Sequence, residues 1–331
     1  MWKKRNVLVT GSNGFVGSHL CERLIHLEAK VVGLYRELKE DSVLVKSGST
    51  LSMTMIKGDL TDLFLLKEVI ETYEIETIFH LGAQTDVKVG SENPIETFES
   101  NIRGTWNVLE ASKRSDKVKQ IIVASSDKAY GTTLKLPYSE ENHLNGIFPY
   151  DVSKSATDML SSTYFHTFNS PVCITRCGNI YGEGDLNLTR IVPSSIMSII
   201  KGEIPLIRGN GQSTRDYLYI LDAVEAYLNL AENMERNPSI LGEAFNFSNE
   251  DPITVIELVN KIIKISGKEG ITPTVLNVAK HEIDHQFLNS LKATEILNWK
   301  PKFSLDTGIL NTIKWYEKYL DNKLEYTRNN A

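Results

Sequence analysis

Short apolar runs recur along the first half of the chain, at Val7–Val9, Val31–Leu34, Thr77–Leu81, Gln120–Ser125 and Val172–Arg176. They read as buried strands. Stretches of helical spacing lie between them, for example Phe64–Glu74 and Thr97–Lys113. Strands alternating with helices predict an α/β fold built on a doubly wound parallel sheet. Ligands of such sheets bind beyond the carboxyl ends of the strands. After Tyr181 the pattern loosens into Gly, Pro and Asn clusters, with helical stretches at Leu221–Glu235, Asp251–Ser266 and Thr294–Leu320 and an apolar strand at Ala244–Phe247. No internal repeat, coiled-coil run or low-complexity segment interrupts it.

Two local patterns carry chemistry. The first strand runs into Gly11-Ser-Asn-Gly14-Phe-Val-Gly17 and then the helical run from Ser18. Strand, glycine turn and helix form a phosphate-binding arrangement, because glycines let the backbone approach a pyrophosphate and the helix N-terminus faces its charge. The spacing is GxxGxxG, not the commoner GxGxxG. The second pattern is Tyr150 and Lys154, which a helix places on one face. An ammonium fixed near a phenol favours the phenolate, which makes Tyr150 a base toward an alcohol.

Composition narrows the function. The chain has 331 residues, 41% hydrophobic and 24% charged, which suits a soluble protein of one large and one smaller domain. A formal net charge of -6 argues against a general nucleic-acid binder and leaves room for a local basic pocket. The basic start Met-Trp-Lys-Lys-Arg leads into too few apolar residues for a signal or membrane segment, so a cytoplasmic, non-membrane protein is expected. Three cysteines give no disulfide framework, and Cys173 and Cys177 are expected to pack as small hydrophobes. His281-Glu-Ile-Asp-His285 satisfies the HExxH zinc pattern, but it falls between a strand-like stretch, Thr274–Val278, and a helix start at Ser290. Without a helix the two histidines do not converge, and no metal is expected.

Together the glycine turn and the Tyr-Lys pair resemble the extended short-chain dehydrogenase/reductase superfamily, in its branch acting on nucleotide sugars. Further blocks agree in order: Gly58–Asp62, His80–Gln84, Asn101–Thr105, Ala124–Gly131, Arg176–Gly182 and Thr214–Ile220. The resemblance spans nearly the whole chain and implies a Rossmann domain over residues 1–181 with about 221–247. It also implies a discontinuous nucleotide-sugar lobe over about 182–220 and 248–326, and a homodimer formed through the helices Thr97–Lys113 and Tyr150–Phe168, with Leu109, Met159 and Leu160 as candidate seats.

The same resemblance assigns roles. Ser126, Tyr150 and Lys154 match the catalytic triad. Gly11, Asn13, Gly14, Phe15, Val16, Gly17, Arg36, Asp59, Leu60, Leu81 and Ala83, with Tyr150 and Lys154, match cofactor-binding positions. Ser126, Asn179, Arg190 and Arg215 match positions that hold a nucleotide-diphosphate hexose, for which an arginine fork suits the phosphates. Cofactor choice turns on the end of the second strand: Tyr35 stands where NAD enzymes place an acid and Arg36 follows, which leans to NADP, while Glu37 suits NAD if the register slips. Asp127 and Lys128 are similar to the acid–base pair of nucleotide-sugar 4,6-dehydratases, most like the CDP-glucose enzyme; epimerases typically carry small residues there. Elimination needs a protonated acid and a neutral amine, the reverse of free Asp and Lys at pH 7. The other readings of these residues are a salt-bridged loop end, a 4-epimerase and a cofactor sensor. The intact Ser126, Tyr150 and Lys154 count against the sensor.

Overall fold

The computed structural model describes residues 1–133, 135–279 and 283–329, with side chains described as far as residue 321. Seven strands form one parallel sheet: β1 (Asn6–Thr10), β2 (Lys30–Tyr35), β3 (Thr54–Lys57), β4 (Thr77–His80), β5 (Gln120–Ala124), β6 (Val172–Cys177) and β7 (Ala244–Phe247). They lie in the order β7-β6-β5-β4-β1-β2-β3. The order reverses between β1 and β4, and the carboxyl ends at that reversal form the crevice where such sheets bind ligands. This is the α/β fold that the alternating pattern predicts. β3 is the strand that the apolar runs do not announce, because its residues are only half-buried at the sheet edge.

Both sheet faces are covered, so the middles of the central strands are apolar, with polar residues such as Thr10, Thr77, His80 and Gln120 buried at their ends. Val7, Leu8 and Val9 are fully buried. On one face Leu8, Ile78 and Ile121 pack with Leu66, Val69 and Ile70 of the helix Leu63–Thr72 and with Val108 and Leu109 of the helix Gly104–Ser112. Each such side chain contributes about 1.5–3 kcal/mol. Leu109 is therefore a core residue of its own chain, which removes it from the candidate dimer seats, whereas Met159 is 62% exposed. Aromatic rings of Trp2, Phe79 and Tyr227 pack together elsewhere in this unit, with ring centroids 5.9 and 6.5 Å apart.

The chain divides into two compact units. The first holds the sheet and comprises Met1–Cys177, Ala223–Phe247 and Leu288–Lys300. The second comprises Gly178–Asp222, Ser248–Phe287 and the chain from Pro301. Within the second, Asn179–Tyr181 pairs with Tyr217–Tyr219, and Thr214–Arg215 lies between Ile253–Thr254 and His285–Gln286. Its helix Val255–Ile265 starts at a reciprocal cap between Thr254 and Glu257. Among the described residues no helix is long and apolar enough to cross a membrane.

Candidate active site

The glycine turn follows β1 directly. Gly11 has φ +68, and a Cβ there would lie 2.8 Å from the Gly82 backbone, so the turn abuts the segment after β4. A Cβ on Gly17 would fall 2.1 Å from the Gly11 carbonyl oxygen. Bare backbone at both positions brings the start of α1 (Phe15–His26) against the turn, with Gly14 as its N-cap. Only glycine permits this backbone-to-backbone packing, which sets the helix start and the turn in the arrangement that suits a dinucleotide pyrophosphate. Phe15 and Val16, half-buried, open the helix. The Asn13 amide donates to the Glu37 carbonyl at 2.8 Å, which ties the turn to the end of β2.

Other candidate cofactor residues line the neighbouring strand ends. Asp59 accepts two bonds of 2.8 Å from the Thr61 amide and hydroxyl. Burial pushes its carboxyl upward, but the Thr61 bonds and Arg36 outweigh that and hold it below the usual range. The Leu60 carbonyl accepts from Asn107. Leu81 and Ala83, half-buried, flank Gly82. Arg36 is exposed and pairs with Glu96 at 3.5 Å.

The candidate catalytic side chains come from two elements of the same unit. Ser126, Asp127 and Lys128 form the turn after β5, and Tyr150 and Lys154 sit at the start of α2 (Pro149–Phe168), whose proline occupies the first turn, where its missing N–H costs nothing. The Lys154 ammonium donates to the Ala124 carbonyl at 2.8 Å and lies 6.0 Å from the Tyr150 ring centroid. Burial pulls Lys154 down to about 8 against the opposing pull of Asp158. The Ser126 hydroxyl donates to Asp127 at 2.8 Å and accepts from the Lys128 N–H at 3.2 Å. Asp127 is 3% exposed. Its second carboxylate oxygen is buried without a hydrogen-bond partner among the described residues.

Residues that the sequence reading missed complete this centre. The stretch Thr97–Lys113 is not one regular helix: Pro94–Phe98 passes through a π-type turn at Glu99–Arg103 into Gly104–Ser112. At that turn Asn101 bonds the backbone of Gln84 through both ends of its amide and donates to the Ser153 hydroxyl at 2.9 Å. A π-type turn inserted in a helix commonly marks a functional position. His80 sits between the Thr10 and Thr105 hydroxyls at 2.9 and 3.1 Å, and burial together with the Lys154 charge holds it down to about 3. Arg176 forms a two-point pair with Asp158, one turn beyond Lys154, and donates to the Tyr130 hydroxyl.

The candidate substrate residues other than Ser126 belong to the second unit. The Asn179 amide donates to the Asp216 carbonyl at 3.2 Å, and Arg190 pairs with Asp185 at 3.1 Å. Arg215 is buried and donates to the main-chain carbonyls of Thr214, Ile283 and Asp284. Of the HExxH pattern, His281 and Glu282 lie outside the described residues; His285 is in a short strand, with its ring 3.1 Å from the Thr214 hydroxyl. No metal-holding group of three such side chains occurs among the described residues.

Comparison with known proteins bears on this arrangement. The family model described as GDP-mannose 4,6 dehydratase matches residues 8–312. A trifunctional UDP-glucose 4,6-dehydratase/3,5-epimerase/reductase of Arabidopsis thaliana is 30% identical over 331 residues, covering 95% of this chain and 48% of its own. The chain thus spans about half the length of that relative. UDP-glucose 4-epimerase of Thermotoga maritima, solved with UDP-glucose, is 28% identical with a TM-score of 0.87, over 95% of this chain and 99% of its own. dTDP-glucose 4,6-dehydratase of Bacillus anthracis, solved with NAD, is 26% identical with a TM-score of 0.83, over 95% and 97%. The chain belongs to the NAD(P)-binding nucleotide-sugar epimerase/dehydratase family of extended short-chain dehydrogenases/reductases, close to its 4,6-dehydratase branch.

Proposed function

We propose that the protein is a nucleotide-diphosphate-sugar 4,6-dehydratase that works with NAD in the cytoplasm. Asp127 carries the reading. It is a buried carboxyl bonded to the Ser126 hydroxyl, at a turn where the family's epimerases typically have small residues. Ser126 and Tyr150 hold the sugar 4-hydroxyl, and Tyr150 takes its proton while Lys154 keeps the phenol acidic. The bound nicotinamide supplies hydride acceptance and return. The ketone at C4 acidifies the hydrogen on C5, which Lys128 removes, and Asp127 protonates the departing 6-hydroxyl. Asn179, Arg190 and Arg215 are proposed to hold the diphosphate. NAD is favoured, over the NADP to which Arg36 leans, by the NAD-bound dehydratase relative. We also propose a homodimer, seated on exposed Trp106, Val152 and Met159.

The likeness to solved structures favours a second reading, 4-epimerisation, because the UDP-glucose 4-epimerase superposes with the higher TM-score and identity of the two described above. In that case the ketone turns over and takes hydride on its other face, without Asp127 or Lys128. Mass spectrometry of products from CDP-, UDP-, GDP- and TDP-hexoses separates the readings. Loss of water supports dehydration, and a product of unchanged mass supports epimerisation. Tyr150→Phe is expected to abolish turnover with cofactor still bound. Lys128→Ala is expected to permit C4 oxidation and block water loss; normal dehydration by this variant removes Lys128 as the base.

A further inference from the structure

The first turn of α2 brings a second carboxyl group to the turn that carries Asp127 and Lys128. Asp151 and Ser155, four residues apart, share one helix face. The Ser155 hydroxyl donates to the Ala129 carbonyl at 2.9 Å, and the Asn145 N–H reaches the same carbonyl at 3.0 Å. That face therefore lies on the 127–130 turn. Asp151 is 2% exposed and Asp127 3%. A Cβ on Gly146 would lie 2.5 Å from the Asp151 carbonyl carbon, so the chain closes over the helix start with no room for a side chain. The ionisable groups that act on the Asp151 carboxyl are Lys128 and Asp127, and the Phe148 N–H bonds to it.

We propose that Asp151 is a positioning residue for the dehydration step, its carboxylate receiving the Lys128 ammonium as it forms and holding it beside Asp127. The inference rests on the dehydratase reading. In that step the C5–H bond breaks and its proton goes to the Lys128 amine. The C5–C6 double bond forms as the C6–O bond breaks, and the leaving oxygen takes the Asp127 proton and departs as water. Asp151 makes and breaks no bond. Its work is to fix the end of a flexible four-carbon stem beside two buried carboxyl groups.

Burial pushes Asp151 up to about 6, with Lys128 drawing it down and Asp127 pushing it up. Below that pH the carboxyl is neutral and no longer holds the ammonium. The water-loss rate of the wild-type protein is therefore expected to fall on the acid side with a limb near pH 6. The test follows CDP-, UDP-, GDP- and TDP-glucose with NAD by product mass between pH 5 and 9, in wild type, Asp151→Asn and Asp151→Glu. Asp151→Asn is expected to slow water loss by up to about 10²-fold at pH 8 and to lose the component of the acid limb near pH 6, leaving the fall due to the bases Lys128 and Tyr150, and Asp151→Glu to recover part of both. An Asp151→Asn protein with the wild-type rate and limb overturns the inference while leaving dehydration in place. A wild-type product of unchanged mass overturns the dehydratase reading, and the inference with it. If Asp151→Asn does not fold, carboxyl carbon NMR decides: Lys128→Met is expected to raise the Asp151 titration midpoint, and an unmoved midpoint overturns the inference.

Discussion

His80 stays neutral through the pH range in which a free histidine gains its charge. It is 3% exposed, its two ring nitrogens meet the Thr10 and Thr105 hydroxyls, and burial with the Lys154 charge lowers it to about 3. The sign follows from the depressed value: the unfolded chain takes a proton near 6.5 and the folded one does not, so stability is lost as pH falls below 6.5. At pH 5 the loss attributable to His80 is about 2 kcal/mol. On going from pH 7 to pH 5, urea unfolding is expected to show wild type losing about 2 kcal/mol more than His80→Gln; equal changes in both would remove the assignment. Tyr150 and Lys154 were legible in the sequence because four residues make one helical turn. His80 was legible only as part of a block. Its state depends on Thr105 and Lys154, which lie far along the chain and meet it only in the fold.

At the scale of the element, α2 departs from the usual amphipathic helix. Its buried positions are Tyr150, Asp151, Ser153, Lys154, Ser155, Thr157, Asp158 and Ser161, with no aliphatic side chain among them. Such a face is stable only if its polar groups are paired. The Asp158–Arg176 pair does this between α2 and β6, with both side chains less than a tenth exposed. Arg176→Met alone leaves a buried carboxylate without its partner and is expected to cost about 3–5 kcal/mol. Adding Asp158→Leu is expected to recover most of that, as read by denaturant unfolding; a double variant as unstable as the single one contradicts the account. Apolar periodicity located strands well because their residues are buried on both faces. It could not locate the π-type turn at Glu99–Arg103, which goes with bonds from Asn101 to Gln84 and Ser153, nor β3, whose half-buried residues form no apolar run.

For the whole molecule, the sheet order and the turn after β1 set out a cofactor crevice in the first unit, while exposed apolar side chains on Gly104–Ser112 and α2 remain on its surface. Trp106 and Met159 are 41% and 62% exposed. Burying such a patch against a second copy is the proposed dimer contact, and stable contacts of this kind bury about 800 Å² per partner. Met159→Glu is expected to turn a sedimenting dimer into a monomer, whereas a wild-type monomer at micromolar concentration refutes the contact. The sequence by itself determined the alternation of strands and helices, the glycine turn and the Tyr150–Lys154 spacing, since each depends on neighbours within a few residues. Only the tertiary structure decided that Leu109 lies in the core, that Arg215 is bonded to three carbonyls, and that the helix face of Asp151 and Ser155 lies on the turn of Asp127 and Lys128. Burial and the coupling of charges are properties of side chains brought together from distant segments, and local pattern holds no record of them.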